Sequence, residues 1–242
     1  MSGGTSHSGY IQAESLLEQA KKSMAVKIID IKVDDDTFLK FLTEKNAPFK
    51  TYTDLFDESI EDCPSLDNQS ELLLKRLRTC SSGKKMWREY ECLIKDIFSY
   101  LFVPPLDKPK VQCRTIDGLE IRDLIFPNHA EEGFWKEIKT EYKGSYIIVE
   151  VKNEEKPIPG DVLQLSNYLH EKHLGLFGIL VSRKLNKPVE MKRHKFYSND
   201  RKMIVLLDDT YIKKMILKKA CNAKPEDIIK GLIDTYRMTS AY

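Results

Sequence analysis

Two opposite charges, Glu150 and Lys152, stand inside the segment SYIIVEVKNEE (145–155), which otherwise has the composition of a buried β-strand. On a strand, residues two apart lie on the same face, about 7 Å from each other. Both charges therefore share a face with Ile148, and they begin where the apolar run on that face ends. This pattern is expected of a strand whose end opens into a cleft.

The spacing of the two charges carries little information by itself, because an acid followed two residues later by lysine occurs seven times in the chain. Its neighbours distinguish the triplet at Glu150. Asp123 lies in a second apolar strand, EIRDLIF, where a carboxylate is costly to bury unless a cation or a metal ion meets it. Gln164 and Tyr168 lie four residues apart, on one face of the helix predicted after Glu150. Glu91 stands beside the apolar stripe of an earlier helix.

Alternating helices and strands must position these residues, which favours the α/β class. Apolar periodicity predicts a helix over 86–101, stopped by Pro104 and Pro105. The pattern further predicts a hairpin over 110–127 turning at Asp117-Gly118, a helix over 130–142, a strand over 145–152, a helix over 159–174, strands over 176–183 and 202–209, and two helices around Pro225. Before them it predicts a helix over 11–24, a strand over 25–33, a short helix after the Asp34–Asp36 run, a loop over 51–70 and a helix over 71–79.

These residues, in this order, resemble the PD-(D/E)XK nuclease superfamily: Tyr90-Glu91, Asp123, Glu150-Val151-Lys152 and Gln164-x-x-x-Tyr168. The Gln-x-x-x-Tyr element resembles the RecB-type branch, and the Tyr-Glu pair resembles Mrr-like restriction enzymes. The resemblance covers residues 84–208 and implies a restriction-endonuclease-like core, a mixed central sheet flanked by helices. Two features depart from the family: Arg122 stands where its name implies proline, and 27 residues separate Asp123 from Glu150 because of the inserted helix over 130–142.

The resemblance implies a metal-dependent phosphodiesterase that cleaves DNA, most simply an endonuclease of restriction or phage-defence type. Phosphodiester hydrolysis needs an activated water and neutralisation of developing charge, which hard divalent cations held by carboxylates provide. Asp123 and Glu150 would hold Mg²⁺, for which Mn²⁺ should substitute. The Val151 carbonyl would join them, and Glu91 would make a second contact through water.

Three further residues have implied roles at the same site. Lys152 would orient or help to deprotonate the attacking water, or stabilise the developing charge. Desolvation beside a metal would lower its pKa and suit it to act as a base. Gln164 and Tyr168 would position either the substrate backbone or Lys152.

Other interpretations of these residues remain open. The same fold could serve as a catalytically silent module that binds nucleic acid or protein, and the residues equally fit an RNA-directed or junction-resolving nuclease. The basic stretch over 187–202, with Lys192, Arg193 and Lys195, could contact phosphates or form a solvated loop. The HEKH segment (170–173) has the wrong spacing for a zinc-protease motif, and its histidines are expected in a last helical turn.

The chain divides into three predicted regions: an accessory region over 1–83 with its first ten residues disordered, a nuclease core over 84–208 and a helical extension over 209–242. Residues 1–80 carry 10 basic and 14 acidic residues, and the remainder carries 29 and 23, so the second part better suits a polyanion such as DNA. The first region is expected to bind a regulatory protein, and the last helices to form a homodimer.

Composition narrows the setting of the protein. The sequence contains no apolar run long enough for a transmembrane helix, so no membrane partner is expected. Five scattered cysteines without a C-x-x-C pair argue against a disulfide framework or a structural zinc site. A reducing cytoplasm is the simplest location.

Overall fold

A five-stranded mixed sheet organises the residues that the computed structural model describes, 66–114 and 121–239. The strands lie in the order β1 (Lys110–Arg114), β2 (Ile121–Pro127), β3 (Tyr146–Lys152), β4 (Phe177–Ser182) and β5 (Met203–Leu207). Neighbouring strands from β1 to β3 pair antiparallel, and those from β3 to β5 pair parallel. The architecture is α/β, as the alternation of elements predicts.

Helices cover both faces of this sheet. Within the described ranges they are α1 (Asn68–Thr79), α2 (Trp87–Phe102), α3 (Gly133–Glu141), α4 (Pro159–Tyr168), α5 (Lys187–Asp200), α6 (Asp209–Ala220) and α7 (Glu226–Thr239). One core lies between the sheet and helices α1, α2, α3, α6 and α7. A second, smaller core lies on the other face under α4 and α5. Two covered faces explain why β4 is an unbroken buried run.

Strand β3 divides its side chains between the two cores. Ile147 and Val149 enter the first core, and Ile148 enters the second core beneath α4. Since side chains alternate along a strand, Glu150 and Lys152 continue the Ile148 face at the carboxyl end of the strand. The sheet therefore places both charges against α4.

Most of the predicted elements from residue 86 onward are confirmed within one or two residues. The two strands of the predicted hairpin pair antiparallel, although its turn at Asp117-Gly118 lies outside the described residues. The elements predicted over 11–24, 25–33 and after Asp34, and most of the loop predicted over 51–70, also lie outside them. Helix α1 begins at residue 68, where Asp67 caps it by accepting a hydrogen bond from the Ser70 amide, so the last residues of the predicted loop are helical.

The helix predicted over 159–174 ends six residues early, at Tyr168. The chain must turn back to enter β4, and Leu169 is fully buried while His170 pairs with Gly175 in an isolated bridge. The expectation that His170 and His173 occupy a last helical turn is therefore wrong. Both histidines are exposed in the turn that follows the helix.

The basic stretch over 187–202 is helix α5 through residue 200 rather than a loop. Asn186 caps it by accepting a hydrogen bond from the Val189 amide at 3.2 Å, and Pro188 suits its first turn. Val189 is fully buried and Phe196 packs beside it in the second core. With Tyr197 packed against the first core as well, a few apolar contacts among many charges let tertiary packing stabilise a helix with little periodicity of its own.

No helix among residues 66–114 and 121–239 is both long and apolar enough to cross a membrane.

The turn into β4 requires glycine at position 175, where φ is +98°. A Cβ atom there would lie 2.3 Å from the Lys143 carbonyl oxygen. We expect Gly175→Ala to lower the free energy of unfolding by about 2 kcal/mol or more, measured by urea denaturation. Gly160→Ala is the matched control, because its Cβ would meet nothing closer than a flexible Ile158 atom at 3.5 Å. Equal midpoints for the two variants would contradict this account of the turn.

Candidate active site

A cleft of about 520 Å³ opens at the carboxyl end of β3. The predicted site residues in its lining are Glu91, Asp123, Glu150, Val151, Lys152 and Gln164. Tyr168 joins this group through a hydrogen bond to Gln164. Lys192, Arg193 and Lys195 lie on α5 and do not line the cleft. The fold therefore gathers residues from α2, β2, β3 and α4 that are far apart in sequence.

Glu150 is the most enclosed acid of the cleft, with only 1% of its surface exposed. Its Oε1 accepts a hydrogen bond from Lys152 Nζ at 2.9 Å, whereas its Oε2 is buried without a partner among the described residues. Burial raises the pKa of Glu150 to about 7, and the nearby charge of Asp123 adds to the effect. An unpartnered buried carboxylate oxygen is costly unless the group is protonated or the oxygen meets a hydrogen-bond donor or a cation.

Asp123 lies beside Glu150 on the neighbouring strand. Leu124 pairs with Val149 in the antiparallel register, so the next residues toward the cleft are Asp123 and Glu150. The Val151 amide donates to Asp123 Oδ2 at 2.9 Å, which fixes one carboxylate oxygen at the end of the strand pair. Burial raises the pKa of Asp123 above its usual range. Because the pKa values of both adjacent carboxyl groups are raised, a positive charge close to them would stabilise their ionised forms.

Lys152 links the carboxylates to α4. Its Nζ donates to Gln164 Oε1 at 3.1 Å, and Gln164 Nε2 donates to the Tyr168 hydroxyl at 2.9 Å. Burial acts to lower the pKa of Lys152, but the carboxylates of Glu150, Asp161 and Asp123 together raise it. In this arrangement the pKa of Lys152 is therefore raised, and the lowered pKa expected beside a bound metal stays a prediction.

Glu91 reaches the cleft from α2 and is buried, with 7% of its surface exposed. Gln112 Nε2 donates to Glu91 Oε1 at 3.4 Å. Burial raises the pKa of Glu91, and the charge of Asp123 raises it further. Glu91 thus belongs to the same acidic cluster as Asp123, rather than to the solvated face of its helix.

Sequence reasoning missed two residues of this cluster. Asp161 Oδ1 lies 3.9 Å from Lys152 Nζ while its Oδ2 accepts from the Ile158 amide. Its spacing from Gln164 places both on one helix face, a signal that could have found it. Gln112 stands opposite Asp123 in the hairpin, but the strand register that brings them together was not readable from the sequence.

The sequence predicts three phosphate-binding cations on α5, and two of them lie beside aromatic rings. The Arg193 guanidinium lies 4.2 Å from the centre of the Tyr236 ring, and burial lowers its pKa. Lys192 Nζ lies 5.4 Å from the centre of the Phe196 ring. Lys195 is exposed. Arg193 is thus packed between α5 and α7, and a phosphate-binding role for Lys192 and Lys195 stays a prediction.

The carboxylates of the cleft fit a hard divalent cation. Within the described ranges, no three His, Cys, Asp or Glu side chains converge as a ready-made metal site. Mg²⁺ does not need three, because it is commonly held by one or two carboxylates and keeps several waters. Asp123 and Glu150 meet that need, and the unpartnered Oε2 of Glu150 is the donor atom that a cation would satisfy.

Comparisons with known proteins give little functional information. No protein-family model matches the chain. The chain is similar to a protein of Escherichia coli (strain K12) that is named for transposon gamma-delta and for its mass of 80.3 kDa. The two are 28% identical over 119 residues, which cover 47% of this chain and 17% of that protein. This chain therefore matches about a sixth of the length of that curated relative.

The raised pKa of Glu150 makes the stability of the metal-free protein depend on pH. In the folded state Glu150 stays protonated up to about pH 7, whereas its ordinary pKa is 4.5. Between these two pH values the folded state therefore binds more protons than the unfolded state. Stability in EDTA should therefore fall as pH rises through that window. At pH 8 in EDTA, Glu150→Gln should raise the free energy of unfolding by about 1 to 3 kcal/mol.

The measurement is thermal and urea unfolding at pH 5 and pH 8, with EDTA or with Mg²⁺. Mg²⁺ should stabilise the wild type at pH 8 more than Glu150→Gln, because the ion binds the ionised carboxylates. Glu155→Gln is the control, since that exposed carboxylate pairs with Lys184 at the surface. A wild type that gains stability from pH 5 to pH 8 in EDTA would contradict the assignment.

Proposed function

We propose that this chain is a metal-dependent nuclease that cleaves DNA and has a restriction-endonuclease-like core. The main support is the meeting of Asp123, Glu150 and Lys152 in one cleft, with a buried oxygen of Glu150 left without a partner. That set supplies two cation ligands and one ammonium group, the requirements of phosphodiester hydrolysis. An endonuclease of restriction or phage-defence type is the form that the sequence resemblance favours. The relative named for a transposon is compatible with a DNA substrate.

Asp123 and Glu150 would hold Mg²⁺, or Mn²⁺ in its place. The Val151 carbonyl is the backbone ligand of this proposal, and Glu91 contributes through water. When bound, the ion supplies an acidified water and neutralises charge on the phosphate oxygens. The ion would add to the positive charge of Lys152, which contacts Glu150 Oε1 and leaves Oε2 without a partner among the described residues.

Side chains of the protein would orient the substrate and stabilise charge during the reaction. The Lys152 ammonium is held between Glu150 and Gln164, so it presents a fixed positive charge to a phosphate oxygen. Tyr168 orients Gln164 by accepting its amide hydrogen bond, and the Arg122 guanidinium lies 5.2 Å from the centre of the Tyr168 ring. Lysine acts here by stabilising negative charge and by donating hydrogen bonds.

Replacing Lys152 with alanine tests this proposal. We expect Lys152→Ala to reduce cleavage of plasmid, linear or single-stranded DNA in Mg²⁺ by about 10²- to 10⁴-fold, because a positioned cation and proton donor is lost. The measurement is the initial rate of cleavage of wild type and variant, with Mg²⁺, Mn²⁺ or EDTA.

Lys156→Ala is the matched control, because Glu154-Glu155-Lys156 repeats the acid-x-lysine triplet in an exposed loop. It should cleave like the wild type. RNA and a four-way DNA junction belong in the same assay. Cleavage of those alone would replace the DNA enzyme by an RNA-directed or junction-resolving one, and no metal-dependent cleavage of any substrate would favour a silent binding module. Dimerisation through 209–242 and a regulatory partner for 1–80 stay predictions.

A further inference from the structure

An exposed tryptophan stands at the rim of the acidic cleft. Trp87 is the first residue of α2, lines the cleft and has 43% of its surface exposed. Trp87 is the aromatic side chain among the described residues that line the cleft. The indole of the other tryptophan, Trp135, is buried in the first core, as most large aromatic side chains are. Because the Trp87 indole is exposed beside the cleft, we interpret it as a side chain that contacts a ligand and not as part of the core.

Cations accompany this indole at the rim. The Arg88 guanidinium lies 5.1 Å from the centre of the Trp87 ring. Lys84 lines the same rim one turn earlier, and both basic side chains are exposed. The cleft therefore has buried carboxylates inside, and exposed lining residues that include an aromatic ring, the cations Lys84 and Arg88 and one acid, Glu154. This is the composition of surfaces that bind single-stranded nucleic acid, where bases stack on rings and basic groups meet phosphates.

The rim is fixed directly to the catalytic strand. Asn153, the residue after Lys152, donates through Nδ2 to the carbonyls of Ser81 at 3.0 Å and Gly83 at 2.9 Å. The Gly83 amide returns a hydrogen bond to the Asn153 carbonyl at 2.7 Å. The turn that carries Lys84 and leads into Trp87 is therefore held at a set distance from the carboxylates.

Asn153 is itself part of the cleft lining and carries an acceptor to which no described residue donates. The residue is 5% exposed, and its Oδ1 is buried without a partner among the described residues. Because both amide hydrogens are used by Ser81 and Gly83, the orientation of the amide is settled and Oδ1 must be the free atom. A buried acceptor without a donor calls for one, which a water or a ligand that enters the cleft would supply. The exocyclic amino group of a base supplies such a donor.

We propose that Trp87 stacks on an unpaired base of the substrate, so that the cleft selects nucleic acid with a single-stranded stretch beside the cleaved phosphate. This proposal rests on the proposed nuclease function and names its substrate class. A base inside a duplex has both faces covered by its neighbours and offers none to an indole. An unpaired or unstacked base offers a free face and an unpaired edge, which matches the ring of Trp87 and the free Oδ1 of Asn153.

Tryptophan fluorescence tests the stacking without requiring cleavage. The chain has two tryptophans, and the buried Trp135 supplies a constant background. With EDTA in place of Mg²⁺, a single-stranded oligodeoxycytidine of about 12 nucleotides, whose bases carry the exocyclic amino group, should quench the emission of the wild type, while a duplex of equal length should quench it much less. Trp87→Phe should show no quenching. Quenching that persists in Trp87→Phe, or that is equal for the duplex, would overturn the proposal.

Affinity measurements by fluorescence anisotropy of a labelled strand complete the test. Trp87→Ala should weaken single-strand binding by about 5- to 150-fold, and Trp87→Phe should recover part of that loss because a phenyl ring still stacks. Leu72→Ala is the matched control, since Leu72 is 56% exposed but lies outside the cleft lining. It should bind like the wild type. An equal loss of affinity for duplex and for single-stranded DNA would mean that Trp87 contacts both without preference, which would overturn the proposed selectivity.

Cleavage assays separate this proposal from the nuclease proposal. If the wild type cleaves DNA in Mg²⁺ while Trp87→Ala cleaves gapped and fully paired substrates at wild-type rates, the nuclease function stands and the stacking role fails. If the wild type cleaves nothing but single strands quench Trp87, the nuclease function fails and the stacking site stands as part of a binding module. If Trp87→Ala loses cleavage of gapped and frayed substrates alone, the result supports both the nuclease function and the stacking role.

Discussion

The burial of Glu150 beside Asp123 is the constraint on which the rest of the cleft depends. Two carboxylates stand at the ends of adjacent strands, one of them almost fully enclosed and with a buried oxygen that lacks a partner. A lone buried charge is expensive, and a second like charge nearby increases the cost. Lys152 offsets part of it at 2.9 Å. What remains is an acidic cluster whose electrostatics favour a bound cation.

A second polar network holds the elements that present this cluster. Arg183, directly after β4, pairs with Asp209 at 3.0 Å and donates to the Cys80 carbonyl at 2.7 Å. The Tyr90 hydroxyl donates to the other oxygen of Asp209, also at 2.7 Å, and the Arg183 guanidinium lies over the Tyr90 ring. These contacts tie α2, α6 and the segment before α2 to the sheet. Glu91 adjoins Tyr90, so the same network sets where its carboxylate can reach.

Prediction from the sequence succeeded where the pattern of side chains is local and strong. Apolar periodicity identified α2, and the apolar runs identified β3, β4 and β5, because each buries a defined stripe or face. It failed for α5, whose many charges hide three apolar core contacts, and for the end of α4, which is set by the entry into β4 and not by helix propensity. The carboxylates that raise the pKa of Lys152 could not be listed from the sequence, because they come from three elements, β2, β3 and α4.

The residue order alone indicated most of the elements and most of the candidates for chemistry. Alternation along β3 follows from strand geometry, so Glu150 and Lys152 had to share a face whatever the rest of the fold. Only the tertiary structure decided that this face meets Gln164 and Asp161. The strand register, by pairing Leu124 with Val149, brought Asp123 to the side of Glu150. Distances between residues remote in sequence arise from packing, and for that reason the triplet acquires chemical meaning only in the folded cleft.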